Sequence, residues 1–154
     1  FENLWRDGSD ARLVLVGKEG WMMESLAQRL RSHPEQNRRL FWLAGISDEF
    51  LDEIYTHADC LIAASQTEGF GLPLIEAAQH GLPIIARDIA VFREIAQSHA
   101  YYFSGNRPAD LDRALRRWLE LEASGNAPSS SGLRWLTWEQ STAALKNIIE
   151  EDLP

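Results

Sequence analysis

The chain has 154 residues, the usual size of one domain, with 45% hydrophobic and 25% charged residues, a balance that excludes a disordered chain. No run approaches the ~18 apolar residues that span a bilayer, and the first residues lack the basic-then-apolar pattern of a secretory signal. A formal charge of -8 disfavours nonspecific binding to nucleic acid or to an anionic lipid surface, so an anionic ligand must be held locally, and the one cysteine, Cys60, suits a reducing, cytoplasmic compartment.

Phe1, Leu4 and Trp5 read as the end of a helix, so a segment is expected ahead of residue 1. Leu13 to Val16 is a continuous apolar run ending at Gly17 and predicts a strand. A helix follows from about Trp21 to Arg31, with Leu26, Ala27 and Leu30 on one side, then a strand from Leu40 to Ala44 ending at Gly45. Ser47 caps a helix carrying Phe50, Leu51, Ile54 and Ala58, and Asp48 and Glu49 suit its positive end. A third strand runs from Cys60 to Ala64. Pro73 at a first helical position and Gly81 just past the end bound a short helix, followed by a strand from Pro83 to Ala86 and another from Ala100 to Phe103. Leu111, Ala114, Leu115, Trp118 and Leu119 give the core stripe of a longer helix. The stretch from Ser124 to Gly132 reads as a flexible surface loop, and Thr137 with Gln140 forms a capping box for a terminal helix from about residue 138, bearing Ala144, Leu145, Ile148 and Ile149.

The strands are too uniformly apolar to have a solvated face. Their alternation with helices predicts an α/β fold, a Rossmann-like parallel sheet with helices on both faces, as a single domain over residues 1–154.

The segment Ser65-Gln66-Thr67-Glu68-Gly69-Phe70-Gly71-Leu72-Pro73-Leu74-Ile75-Glu76 carries the chemistry. A strand passes through a glycine-bearing turn into a helix, and the N–H groups of that helix start point outward, an arrangement that binds phosphate. It lies at the carboxyl end of a strand, where open α/β sheets place ligands. Glu76, about 4.5 Å along the helix axis from Pro73 at ~1.5 Å per residue, can accept from both hydroxyls of a vicinal diol. Glu68 can accept from hydroxyls on the other side of the phosphate, which orders sugar, diphosphate and ribose along the turn. Read locally, the same residues also fit plainer roles: Glu76 complementing the helix dipole, Glu68 solvated, Phe70 a core plug. Two carboxylates also allow a glycosidase, which has no need of a helix start aimed at phosphate.

Glu68 to Ala77, followed by Gly81-Leu82-Pro83-Ile84-Ile85-Ala86, resembles the Glu, seven residues, Glu signature of the retaining glycosyltransferase family 4. The similarity extends to Leu13–Gly17, Leu43–Leu51, Ala100–Phe103 and Trp138-Glu139, nearly the whole chain. Gly17-Lys18-Glu19-Gly20-Trp21 and the segment from Ala86 to Glu94 look most like bacterial mannosyltransferases of O-antigen or related polysaccharide synthesis.

The resemblance implies a GT-B enzyme, of which this chain matches the C-terminal, nucleotide-sugar-binding domain. It places Glu68 on the donor sugar as the catalytic carboxylate, Glu76 on the ribose, the amides of Gly69, Phe70, Gly71 and Leu72 on sugar and diphosphate, and Gly45 and Ile46 beside the base. Gly17 and Lys18 close the list of substrate-binding residues, Lys18 as a substitute charge near the phosphates. The implied reaction transfers a hexose, most simply mannose from GDP-mannose, with retention of configuration. The acceptor is a saccharide or lipid-linked saccharide bound through an N-terminal domain, and no metal or other cofactor takes part. The parent enzyme is expected in the cytoplasm, associating peripherally with the inner face of the membrane. The family's first strand, with Gly-Arg and then a Lys, is expected before residue 1, so the fragment alone is expected to bind donor weakly, to lack transferase activity and to leave strands unpaired along one edge.

Other residues are assigned less. His33, His57, His80 and His99 lack ligand spacing. Trp21, beside a glycine loop, is a candidate wall of the acceptor cleft; Arg87 and Arg93 follow a strand end within reach of a ligand, with ion pairs to Asp88 or Glu94 as their plainer role. The alternation alone equally allows a noncatalytic α/β binding or receiver-like module. A nicotinamide-dependent enzyme is disfavoured because Gly17-Lys18-Glu19-Gly20 has the wrong glycine spacing.

Overall fold

The structure, a computed structural model, describes residues 1–151. In chain order it contains α1 (Glu2–Arg6), β1 (Leu13–Val16), α2 (Glu24–Arg31), β2 (Leu40–Leu43), α3 (Asp48–His57), β3 (Leu61–Ala63), α4 (Leu72–Gln79), β4 (Ile84–Arg87), α5 (Ala90–Ala96), β5 (Tyr101–Phe103), α6 (Pro108–Ala123), a 3-10 turn at Ser130–Gly132 and α7 (Trp138–Glu151). This is the expected α/β alternation, with parallel ladders flanked by helices. The strands form two sheets, β1-β2 and β3-β4-β5, so that β1 and β3 are each an outer strand. The chain divides into two compact units, Phe1–Ala58 with Phe103–Gly125, and Asp59–Tyr102 with the residues from Asn126 on.

In the first unit β1 and β2 pair in parallel with Leu13 opposite Leu40 and Val16 opposite Leu43. Leu4, Trp5, Ala27, Leu40, Ala114, Leu115 and Trp118 are buried. Polar contacts fasten α1 in place: Asn3 donates to Asp112, Arg116 pairs with both Asp7 and Asp112, and Trp5 Nε1 donates to the Ala11 carbonyl. One expectation is corrected here. Val14 and Val16 are 41% and 44% exposed, so β1 does have a solvent-facing side.

In the second unit β3 and β4 pair in parallel, Leu61 opposite Ile84 and Ala63 opposite Ala86. Ile84, Ile85 and Ala86 are wholly buried, as a central parallel strand requires. Helix α4 packs on β3, β4, α5 and the 3-10 turn, with Leu74 and Ala77 fully buried. Within the stretch expected as a flexible loop, Ser130 is fully buried, the Ser129 carbonyl accepts from the Nδ1 of His99 at 3.1 Å, and Gly132 sits so close to the His99 ring that no Cβ fits. Helix α7 begins with Thr137 and Gln140 capping reciprocally at 3.1 and 2.9 Å.

Candidate functional site

The carboxyl ends of the strands carry the residues singled out from the sequence. In the first unit, Gly17 follows β1 with φ +144 and donates its N–H to the Leu43 carbonyl at 2.9 Å, while the Gly17 carbonyl accepts from Trp42 Nε1 at 2.9 Å. Gly45 follows β2 with φ +68, and Ser47 then caps α3, its side chain accepting from the Phe50 N–H. The structure therefore brings Gly17 and Lys18 to the same sheet end as Gly45 and Ile46. Trp21 lies in the loop before α2, 90% exposed.

In the second unit, β3 ends at Ala63 and the chain turns through residues 65–71 into α4. Gly71 is the N-cap of α4 in the left-handed region, φ +86, and supplies no side chain to its own helix start. Pro73 in the first turn has no N–H to satisfy, and Leu74 N–H reaches back to the Gly71 carbonyl at 3.0 Å. The helix therefore presents uncapped backbone at its positive end, next to an exposed Gly69 and a Phe70 that is 57% exposed rather than plugged into the core. Leu72 is also exposed at 48%. Glu68 is half-buried, and its Oε1 accepts from the Gly69 N–H at 3.1 Å, so a carboxylate of the chain already lies over the turn. Glu76 is half-buried one turn further along α4. Glu68, Gly69, Phe70, Gly71, Leu72 and Glu76 thus share one strand-turn-helix unit, a geometry suited to an anion flanked by hydroxyl-bearing groups.

The residues behind this turn were not selected from the sequence as site residues. Arg87, the last residue of β4, donates Nε to the Ala64 carbonyl at 3.0 Å. Arg93 does pair with Asp88, through two bonds of 2.7 and 2.8 Å, and its guanidinium lies 3.7 Å over the Tyr102 ring. Burial pushes the Tyr102 hydroxyl above its ordinary pKa, and the Asp88 carboxylate raises that of Arg93. The sequence signal for Arg87 and Arg93, cations just after a strand end, was visible, whereas their partners depend on tertiary packing.

A hollow of about 260 Å³ in the first unit, lined by Glu2, Trp5, Arg6, His33, Pro34, Glu35 and Arg39, holds none of the selected residues. Several of its charges already have partners: Glu2 pairs with Arg29, and Arg39 grips Glu35 at 2.7 and 2.8 Å and holds that carboxyl below its ordinary value. Among the described residues no group of three His, Cys, Asp or Glu is arranged to hold a metal ion, and no helix is long and apolar enough to cross a membrane.

Comparison with known proteins bears on this geometry. The family model described as "Glycosyl transferases group 1" matches residues 1–134. The chain is 56% identical over 149 residues to the serotype-specific mannosyltransferase WbdA of Escherichia coli, covering 96% of this chain and 18% of that protein. It is 30% identical over 115 residues to the O-antigen chain mannosyltransferase RfbU of Salmonella typhimurium, covering 75% of this chain and 32% of that one. It thus spans less than a third of the length of these relatives. In fold it is similar to a chain in the crystal structure of a GtfA/B complex, with TM-score 0.59 and 22% identity over 92% of this chain and 26% of the other. With the family model matched over residues 1–134, most of the chain, the chain belongs to the group 1 glycosyl transferases.

Proposed function

We propose that the chain is the donor-binding domain of a retaining glycosyltransferase that moves mannose from GDP-mannose to a growing bacterial polysaccharide or glycolipid. The observation that carries this reading is the uncapped start of α4 behind Gly71, with Glu68 and Glu76 on either side of it. The diphosphate lies against the amides of Gly69 to Leu72, where the helix end is positive. Glu76 accepts from the ribose hydroxyls. Glu68 leaves the Gly69 amide when the diphosphate arrives, since two anions repel each other there, and turns to the hydroxyls of the hexose. As the bond between sugar and diphosphate breaks, charge grows on the leaving group, and preorganised N–H donors stabilise it more in the transition state than in the ground state. The mannosyltransferase relatives support mannose as the sugar and an O-antigen-type saccharide as the acceptor. Such an acceptor is built at the cytoplasmic face of a membrane, which the parent enzyme meets peripherally.

Calorimetric titration with GDP, UDP, ADP and GDP-mannose tests the reading. GDP is expected to bind best among the nucleotides. Glu76→Ala is expected to weaken GDP and GDP-mannose alike, by about 10- to 100-fold, the loss of charge-assisted hydrogen bonds worth ~1.5–3 kcal/mol. Glu68→Ala is expected to weaken GDP-mannose alone. Equal loss of both ligands in the Glu68 variant would overturn the division of labour.

A further inference from the structure

The turn between β3 and α4 is anchored at both ends by side chains from β4 and α5. At its entry the β3-β4 ladder stops at the Ala63 and Ala86 pair. The next carbonyl, that of Ala64, is taken by the Nε of Arg87 at 3.0 Å, a charge-assisted bond that continues the ladder with a side chain. At its exit a Cβ on Gly71 would lie 3.4 and 3.5 Å from Cδ1 and Cε1 of the Phe92 ring and 3.8 Å from Ile95. The left-handed glycine is therefore seated flat against an aromatic edge. Phe92 is itself 1% exposed, and its carbonyl accepts from the Tyr102 hydroxyl at 3.1 Å. Tyr102 in turn lies under the Arg93 guanidinium, which Asp88 holds through two bonds. Helix α5, only seven residues long and without a side-chain cap, gains its fixed place from these contacts.

We propose that Arg87 and Phe92, the latter steadied by Tyr102, are positioning residues that hold the two ends of the 64–71 turn and so aim its amides at the donor diphosphate. This rests on the donor-site reading given above. They act by fixing backbone groups whose misplacement by about 1 Å is enough to cost binding and rate heavily. A filler role in the core would make any well-packed apolar residue at 92, and any residue at 87, equally good.

The test compares Phe92→Leu, Tyr102→Phe, Arg87→Met and Arg87→Lys in the purified protein, by amide hydrogen exchange of peptides covering residues 64–75 and 84–87 and by calorimetric titration with GDP. Phe92→Leu and Arg87→Met are expected to speed exchange within 64–75 about tenfold, with 84–87 unchanged, and to raise the GDP Kd about tenfold. Arg87→Lys, which keeps a cationic donor, is expected to recover most of that loss. Tyr102→Phe, lacking only the hydroxyl, is expected to show the same pattern at smaller size, and with Arg87→Lys it carries the test where Phe92→Leu does not fold. Unchanged exchange at 64–75, or a uniform rise that includes 84–87, would overturn the positioning role directly. Faster exchange confined to 64–75 with no change in GDP binding, or with no GDP binding even by the unsubstituted protein, would overturn it through its premise, the donor site.

Discussion

Gly71 carries three demands at once: a left-handed backbone, a seat against the Phe92 ring, and the uncapped start of α4. The 3.4 Å approach to Phe92 is close to ordinary contact, so the backbone decides the effect of a substitution. Gly71→Ala is expected to destabilise by about 1–2 kcal/mol, the cost of an L side chain in the left-handed region, seen as a lowered midpoint in denaturant melts. A second residue-level consequence lies at the start of α6. Asp110 accepts from the Arg107 N–H at 3.0 Å, and the guanidinium groups of Arg107 and Arg113 also reach it. The backbone bond, then the arginines, hold this carboxyl below its ordinary value. Its stabilising contribution is thus fully present above the unfolded pKa of ~3.9 and is lost as pH falls from there through the depressed folded value. Asp110→Asn is expected to flatten the decline in stability below about pH 4, read by thermal melts across pH; an unchanged acid limb would contradict this. At this scale the sequence showed Glu68, Gly71 and Glu76, whose spacing along one turn is itself the signal. Phe92 and Tyr102 gave none, since an apolar residue on a short helix looks the same whether it fills a core or backs a binding turn.

Among the elements, the strands were legible to within about a residue at each end, because runs such as Leu13–Val16 and Ile84–Arg87 are short, apolar and closed by glycine or a charge. Helix α5 was not anticipated. Ile89 offers no side-chain cap, so the sequence carries no start signal for this helix. Continuous apolarity also overstated the burial of β1, since Val14 and Val16 face outward. Caps read from local spacing were reliable, because a Ser or Thr oxygen and an N–H three residues on need no tertiary partner. Ser47, accepting from Phe50 N–H at 3.3 Å, is one such cap. Ser47→Ala is expected to cost about 1 kcal/mol, measured by chemical denaturation, and Ser47→Asp to restore it.

Across the whole molecule the buried side chains mark where stability resides. Leu74, Ile84, Ile85 and Phe92 are fully buried in the second unit, whereas Trp138, Leu145, Ile148 and Ile149 of α7 remain more than half exposed. Local opening follows burial, so hydrogen exchange is expected to be slowest at Ile84–Ala86 and fast along α7. Leu74→Ala, emptying a fully buried site, is expected to cost about 2–5 kcal/mol by denaturant melts. The alternation of apolar runs and helical stripes made the α/β class legible, while the division into two sheets depends on which strands find partners, a nonlocal matter. The central claim is that a diphosphate rests on the amides at the start of α4. Titrating 15N-labelled protein with GDP and following its amide resonances tests it most directly. The account predicts that Gly69, Gly71 and Leu72 shift together and saturate with one Kd, and that Glu76→Ala raises that Kd about 10- to 100-fold. Shifts that leave these three amides unmoved would contradict it.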